Sequence, residues 1–538
     1  MGGVREVIPT LRPYQVQAEH DIVAAWARGA RNVLFVAPTG AGKTVTLSDI
    51  MRKEPGATIA IAHRQELVTQ MSLALARNGV RHRVIGQPAT IRMCVQLHML
   101  DLGLSYYSAS ASAAVAGVDT LIRTTPDQWH RNVSLWICDE AHHLLRENKW
   151  GTAAEMFPNA RGLGVTATPL RADGKGLGRH ADGLFDVMVQ APGMRSLIDM
   201  GHLSDYRIFV PPSDLNLTGV AVTAGGDFSP EPLRAAVHGS HIHGDVVSHY
   251  LKVAPGKLGL TFAVDVESAV ELAAAFRAAG VPAEALSGKT PDNIRYKVLQ
   301  QLARGDIKQV CSCDILGEGL DLPMVETVSM ARPTQSYGLF VQQFGRGVRL
   351  KPDGGGAIIL DHVGNVLRHG LPDAPRVWTL DRRERRTSNS TETTVPVRIC
   401  PSCTGAYERV RTACPYCGHV AEPQGRTLPE QVDGSLAELS PEALARLRGA
   451  IEHSEELRIP YGATPAIEGH LRKVHRERLA AQVLLRERMA LWGGHWTARG
   501  DTLAEAQRRF WLRYNIDVAS AQMLNAADAT ALMRRIEI

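Results

Sequence analysis

Short apolar runs recur through the first 361 residues, and each is followed by a longer stretch whose apolar positions fall three or four apart. Val33-Leu34-Phe35-Val36 and Leu135-Trp136-Ile137-Cys138 open the series, and Leu258 to Ala263, Gln309 to Cys313, Thr327 to Met330 and Ala357 to Leu360 continue it. Such runs predict strands, and those without polar alternation, such as Val33 to Val36, predict strands covered on both faces, as in parallel sheets with helices on either side. The alternation divides into two blocks, from about residue 10 to 205 and from Gly256 to Asp361, so the pattern predicts an α/β protein with two tandem parallel-sheet domains. Their expected extents are 1–208 and 256–380, joined through 209–255, where Pro211 to Pro232 is rich in Pro, Gly, Ser and Asp and reads as a linker or irregular excursion. Ser105 to Gly117 is low in complexity and reads as a surface loop or insertion. Beyond residue 437 the pattern turns helical, with Glu442 to His453, His470 to Leu491 and a helix over Ala519 to Ile536 expected in a C-terminal domain of 437–538.

What the strands deliver decides the chemistry. Val33 to Val36 runs into Ala37-Pro38-Thr39-Gly40-Ala41-Gly42-Lys43-Thr44, a phosphate-binding loop with Ala37 where the general pattern has its first glycine. Gly40 and Gly42 let successive N–H groups turn inward around a phosphate, and Thr39 to Lys43 form the cradle. Lys43 is placed to neutralise β- and γ-oxygens, and the Thr44 hydroxyl to hold Mg²⁺. Leu135 to Cys138 runs into Asp139-Glu140-Ala141-His142. Asp139 is placed to bind Mg²⁺, and Glu140 to orient and deprotonate an attacking water. Together the two strings predict ATP hydrolysis.

The second block offers Gln342-Gln343-Phe344-Gly345-Arg346-Gly347-Val348-Arg349, in which Gln342, Arg346 and Arg349 are expected on one face of a short helix. Guanidinium groups reaching a γ-phosphate from a second domain are worth roughly 10³ to 10⁵ in rate. Before it, Gly319 and Asp321 sit in a loop after a strand and are expected to line the same cleft, Asp321 toward ribose or an arginine.

Eight cysteines fall into two classes. Cys94, Cys138, Cys311 and Cys313 lie in apolar surroundings and read as reduced core residues. Cys400-Pro401-Ser402-Cys403 and Cys414-Pro415-Tyr416-Cys417 form two knuckles ten residues apart, a spacing that brings four thiolates to one structural Zn²⁺ in a ribbon over 396–422. Tyr407, Arg409, Arg411 and Tyr416 decorate that ribbon with groups suited to nucleic acid. Arg472, Lys473, His475, Arg476, Arg478, Arg486 and Arg488 load one helical segment with positive charge, set against Glu477 and Glu487.

The overall balance adds little: a net charge of +5 over 538 residues is mild, so any nucleic-acid groove must come from local arrangement. A 44% hydrophobic and 21% charged composition is that of a globular protein. No apolar stretch approaches a membrane span, and Met1 to Thr10 lacks the apolar core of a secretory signal, so a cytoplasmic location in a bacterial or phage-infected cell is expected.

Leu11-Arg12-Pro13-Tyr14-Gln15, the phosphate loop, Ala62-His63-Arg64-Gln65-Glu66-Leu67, the Asp-Glu-Ala-His box, Val165-Thr166-Ala167-Thr168-Pro169, the Gly319/Asp321 loop and the Gln342 to Arg349 string follow one another in a set order. In that order the chain resembles the superfamily two helicases, with the RadD-like and XPB-like DNA helicases and related phage proteins closest in character. The resemblance covers about residues 10 to 420. It implies two RecA-like domains, ATP, Mg²⁺ and Zn²⁺ as cofactors, and DNA as partner. It further implies that Gln15 reads the adenine edge with Arg12 or Tyr14 helping to hold the base, that Thr166 and Thr168 couple ATP state to the DNA path, and that Arg64 and Thr69 follow one strand's phosphates. The expected activity is an ATP-dependent helicase or translocase acting on branched or forked DNA in replication, recombination or repair, with replication or repair proteins meeting the helical C-terminal domain. An ATP-switched DNA-binding loader and an RNA helicase are the alternatives.

Overall fold

The computed structural model of the chain describes residues 9–382, 396–420 and 465–537, apart from 172, 212–214, 218, 224, 225, 241, 314–321, 323 and 352. Two compact units emerge; the first carries both sheets, and the second carries the four paired cysteines and the C-terminal helices.

The first sheet is built from β1 (Asn32–Val36), β2 (Ala57–Ala62), β3 (His82–Ile85), β4 (Ala113–Gly117), β5 (Val133–Cys138), β6 (Arg161–Thr166) and β7 (Val187–Gln190). All seven are parallel, in the order β3-β4-β2-β5-β6-β1-β7. β1 and β2 are buried at every position, the polar Asn32 and Thr58 included. Trp136, Phe157 and Phe185 fill the core on this sheet, together with Leu34 and Ile59; burying one such side chain contributes about 1.5–3 kcal/mol. β6 lies between β1 and β5, so the phosphate loop, the acidic box and Thr166 all leave the sheet at its carboxyl edge, where open α/β sheets take their ligands.

β4 corrects the reading of Ser105 to Gly117 as a surface loop. Ala113-Ala114-Val115-Ala116 forms a buried strand between β3 and β2. Small side chains with little strand propensity are held there by two neighbours whose pairing is not visible locally.

The second sheet comprises β8 (Tyr206–Phe209), β9 (Gly259–Phe262), β10 (Ala283–Leu286), β11 (Gln309–Ser312), β12 (Thr327–Met330) and β13 (Ala357–Asp361), again all parallel, in the order β10-β11-β9-β12-β13-β8. β8 pairs with β13, so the second sheet begins inside the stretch expected to close the first domain. The interval 209–255 contains two helices, Pro230–His238 and Ile242–Val253, rather than a linker throughout. The chain also returns at the far end: Leu380 is buried in the core of the first sheet with Trp378 packed against it, and the Leu380 carbonyl accepts from the Gly178 N–H at 2.8 Å.

In the second unit a 33-residue helix, Pro465–Thr497, packs on Leu503–Tyr514 and Ala526–Arg535 around Leu485, Met489, Trp492, Phe510 and Leu532. The single helix expected over Ala519 to Ile536 is broken. Val518–Ala521 ends, and Asn525 caps a new helix by accepting from the Asp528 N–H at 2.9 Å. Within this unit Arg509, 1% exposed, donates to Asp501 at 2.8 Å and pairs with Glu408 at 2.5 Å. The expected helix Glu442 to His453 lies outside the described residues. No described helix is long and apolar enough to cross a membrane.

Candidate functional site

β1 ends in a loop whose two glycines carry left-handed backbone, Gly40 at φ 84° and Gly42 at φ 73°, and Gly42 caps the helix Lys43–Lys53. Only glycine adopts that conformation without strain, and the turn aims the helix's first N–H groups at one point, an anion site by geometry and dipole. The loop is braced from outside. Tyr14 Oη donates to the Ala41 carbonyl at 2.7 Å, and Gln15 Nε2 donates to the carbonyls of Gly42 and Ala41 at 3.1 and 3.3 Å. Gln15 Oε1 accepts the Arg12 N–H at 2.8 Å, and an Arg12 guanidinium N–H donates to the His202 carbonyl at 3.1 Å. Lys43 Nζ donates to the carbonyls of Ala37 and Pro38 at 3.1 and 3.3 Å.

Asp139 and Glu140 leave β5 one after the other. The Glu140 N–H donates to Asp139 Oδ1 at 3.0 Å, and Glu140 itself has φ 50°, a strained conformation for a side-chain-bearing residue. His142 holds the box in place: its Nδ1 lies 3.1 Å from Thr166 Oγ1 and 3.3 Å from Glu140 Oε2. Thr166 Oγ1 gives its own hydrogen to the Thr168 carbonyl at 3.0 Å, so it accepts from His142 and Nδ1 carries the proton. Burial and the neighbouring Glu140 raise Asp139 to about 6 against the pull of Lys43. Burial lowers Lys43, with Glu140 and Asp139 opposing and Arg346 and Arg349 adding to the fall. Thr44 and Asp139 offer a hydroxyl and a carboxylate, hard oxygen donors of the kind Mg²⁺ takes, and a divalent ion there would offset the burial that chiefly raises Asp139. The donor set fits the ion.

The arginine string differs from expectation in one respect. Its helix, Tyr337–Phe344, carries Gln342 but ends at Gly345, so Arg346 and Arg349 lie in the turns beyond it rather than on its face. The reason for Gly345 is spatial. A Cβ there would stand 2.3 Å from Thr39 Cγ2 and 2.4 Å from Thr39 Cβ, so the end of the arginine helix rests on the phosphate loop. A Cβ on Gly40 would stand 3.7 Å from Arg349 Cγ. The structure thus brings Thr39, Gly40, Lys43, Asp139, Glu140, Arg346 and Arg349 to one place; Gln342 is 5% exposed.

Other expected residues stand apart. Gly319 and Asp321 lie outside the described residues. Thr69 is buried and its hydroxyl donates to the Glu66 carbonyl at 2.9 Å, while Thr166 and Thr168 are buried and serve the acidic box as above. Arg64 caps the helix Gln65–Arg77, near Arg295 of the second sheet's domain, which pairs with Glu66. His142 was legible as the last letter of its box. Leu203, which would meet a Cβ on Gly40 at 2.9 Å, carries no motif.

The cysteine cluster stands in the second unit. The four Sγ atoms lie within 4.8 Å of one another, with Cys400–Cys417 and Cys403–Cys414 each at 3.6 Å. Four sulfurs about 2.3 Å from a tetrahedral Zn²⁺ stand about 3.8 Å apart, so the thiols fit zinc with no further ligand. Burial opposes ionisation of Cys400, but N–H groups of Cys403 and Ser402 aimed at its sulfur outweigh it and bring the thiol down to about 7.

Residues 8–171 match the family described as type III restriction enzyme, res subunit, and residues 244–351 match the helicase conserved C-terminal domain. A 51.5 kDa protein of a Lactococcus phage is 30% identical over 389 residues, covering 72% of this chain and 77% of that protein. A Saccharomyces cerevisiae protein provisionally described as ATP-dependent helicase IRC3 is 26% identical over 388 residues, 68% of this chain and 53% of its own length. A Sulfurisphaera tokodaii protein named DNA 3'-5' translocase XPB2 is 30% identical over 165 residues, 31% of this chain and 32% of that one.

Proposed function

Because this chain belongs to superfamily two of the helicases, we propose that it is an ATP-dependent DNA helicase or translocase in which hydrolysis between two parallel-sheet domains drives movement along a strand. The observation that carries this reading is the approach of Gly345 to Thr39, which sets Arg346 and Arg349 beside the loop that holds Lys43.

In this reading the N–H groups of Gly40 to Thr44 cradle the β-phosphate, and Lys43 exchanges the carbonyls of Ala37 and Pro38 for phosphate oxygens. Glu140, whose Oε2 lies 3.3 Å from His142 Nδ1, takes the proton of the attacking water. Arg346 and Arg349 meet the charge that grows on the γ-phosphoryl oxygens, and Gln342 orders the approach. Arg12, Tyr14 and Gln15 hold the base end. Thr44 and Asp139 would hold Mg²⁺, which when bound neutralises phosphate charge. Because the arginines come from the second domain, loss of γ-phosphate removes what holds the domains closed, and one cycle of hydrolysis becomes one closing and opening.

DNA as the track is supported by the XPB2 relative, whose printed name is that of a DNA translocase, and Arg64 beside Arg295 is the candidate phosphate contact. The same reading takes branched or forked DNA as substrate, replication or repair proteins as partners of the C-terminal helices, and the cytoplasm as location. It is tested by steady-state ATPase with single-stranded, forked and looped DNA and with RNA duplexes, alongside displacement of a labelled strand. DNA-stimulated turnover with displacement or translocation is expected. Stimulation without movement would make the protein an ATP-switched loader, preference for RNA would make it an RNA helicase, and no stimulation by either would remove the reading.

A further inference from the structure

The turn that carries the two arginines buries Val348 completely and Arg346 almost so, and its carbonyl groups are held as well. The Ser204 N–H donates to the Val348 carbonyl at 2.9 Å, and Ser204 Oγ donates to the Arg349 carbonyl at 2.9 Å. From the other side Lys351 Nζ donates to the Gly347 carbonyl at 2.6 Å and to the Arg349 carbonyl at 3.4 Å. Ser204 and Lys351 are each 7% exposed. Gly347 lets the turn lie flat on the second sheet, for a Cβ there would stand 3.1 Å from Ile359 Cδ1 and 3.3 Å from Val328 Cγ2.

Ser204 belongs to a three-residue strap that touches the opposite side of the nucleotide site. His202 packs its ring on Tyr14, centroids 5.1 Å apart, and its carbonyl accepts from Arg12. Leu203, 2% exposed, lies against Gly40. A buried ammonium is costly and is usually matched by a carboxylate. Here the neighbouring Glu326 is engaged by Lys257 Nζ at 2.5 Å and by the Leu258 N–H at 3.0 Å, and the amine of Lys351 serves main-chain carbonyls.

Resting on the function proposed above, we propose that Lys351 and Ser204 are positioning residues for the arginine turn: by gripping the carbonyls of residues 347–349 from two sides they set where the Arg346 and Arg349 side chains meet the γ-phosphate. Neither touches the phosphate site itself; each acts through the arginines.

A pH dependence accompanies the grip. Burial lowers Lys351 to about 8, against Glu326 and Asp353, which raise it, and with Lys257, which lowers it; these are the charged groups that face it. Above that pH the amine is neutral, and hydrogen bonds from a neutral donor are roughly half as strong as those from a charged one. Turnover should therefore decline on the alkaline side with a midpoint near 8, while ATP affinity is kept.

The test measures DNA-stimulated kcat and KM for ATP from pH 6.5 to 9.5 in the full-length protein, for wild type, Lys351→Met, Lys351→Arg and Ser204→Ala, each also in an Arg349→Ala background. Lys351→Met should lose on the order of tenfold in kcat, keep KM within about twofold and lose the limb near 8. Lys351→Arg, charged throughout, should recover kcat without the limb. In the Arg349→Ala background Lys351→Met and Ser204→Ala should cost clearly less than in wild type, since one of the two arginines they position is gone. Equal losses with and without Arg349, or a limb that survives Lys351→Met, would overturn the proposal. Should Lys351→Met not fold, Ser204→Ala decides the question by the same background comparison. If Arg349→Ala alone retains wild-type kcat, the assignment of the arginine has failed, and this proposal with it.

Discussion

Gly345→Ala tests the closed arrangement with the smallest possible change. The added Cβ would stand 2.3 Å from Thr39 Cγ2, about 1.2 Å short of the ~3.5 Å at which carbon atoms rest in contact. Thr39 has little room to yield: it is β-branched, 8% exposed, and part of the phosphate loop. The arginine turn must therefore retreat by about 1 Å, and a misplacement of that size costs on the order of 10²-fold in rate, about 2.7 kcal/mol of transition-state stabilisation. That is a substantial part of the roughly 10³ to 10⁵ that an arginine supplies to phosphoryl transfer. ATP binding to the loop, which does not need the second domain, should stay near wild type. The assay is steady-state ATPase at saturating DNA with nucleotide affinity from a fluorescent ATP analogue, and thermal melting as a check on folding. Thr39→Gly in the same chain removes both clashing carbons and should return part of the lost kcat. A Gly345→Ala protein with kcat within twofold of wild type, unchanged melting and unchanged affinity would show that Gly345 and Thr39 do not meet during turnover, and the two-domain site would fall.

Lys43→Ala is expected to abolish hydrolysis, and Glu140→Gln to bind ATP without cleaving it; filter binding and phosphate release separate the two, and wild-type turnover in either would refute its role. Chelation of Zn²⁺, or Cys400→Ser, should unfold the cysteine segment, which draws on the order of 10 kcal/mol from its metal, while DNA-independent ATPase persists; collapse of that basal activity would mean the segment braces the motor. Arg509→Met should destabilise the C-terminal unit by about 3–5 kcal/mol, because it takes from the buried Asp501 the guanidinium at 2.8 Å and leaves it Arg411 at 3.9 Å, and calorimetry should show that transition fall while that of the ATP-binding unit stays.

Much of this was readable from residue order because the chemistry sits at strand ends. β1 from Val33 and β5 from Leu135 are apolar to their ends, and the residues that follow each, up to Lys43 in one case and Glu140 in the other, have types that few other tasks require together. The arginine string was readable as chemistry but not as geometry: a helical pattern continues through Arg346 and Arg349 on paper, and the two interrupting glycines are there because Thr39 and the second sheet press against them. β4 was misread for the reverse reason, since its alanines become a strand only through β3 and β2 on either side. Ser204 gave no signal at all. Its contribution is one hydroxyl and one N–H, and any sequence contains many of both.

Among the described residues the chain crosses from the first sheet to the second on the way from β7 to β8, returns when Trp378 and Leu380 enter the core of the first sheet, and crosses again to Gly405, which pairs with Phe209 of β8. Two bodies joined by one tether can swivel and drift in any direction; each further tether removes part of that freedom. Any movement that carries the arginines away from the phosphate loop would thereby be kept short of free drift, the halves holding their register.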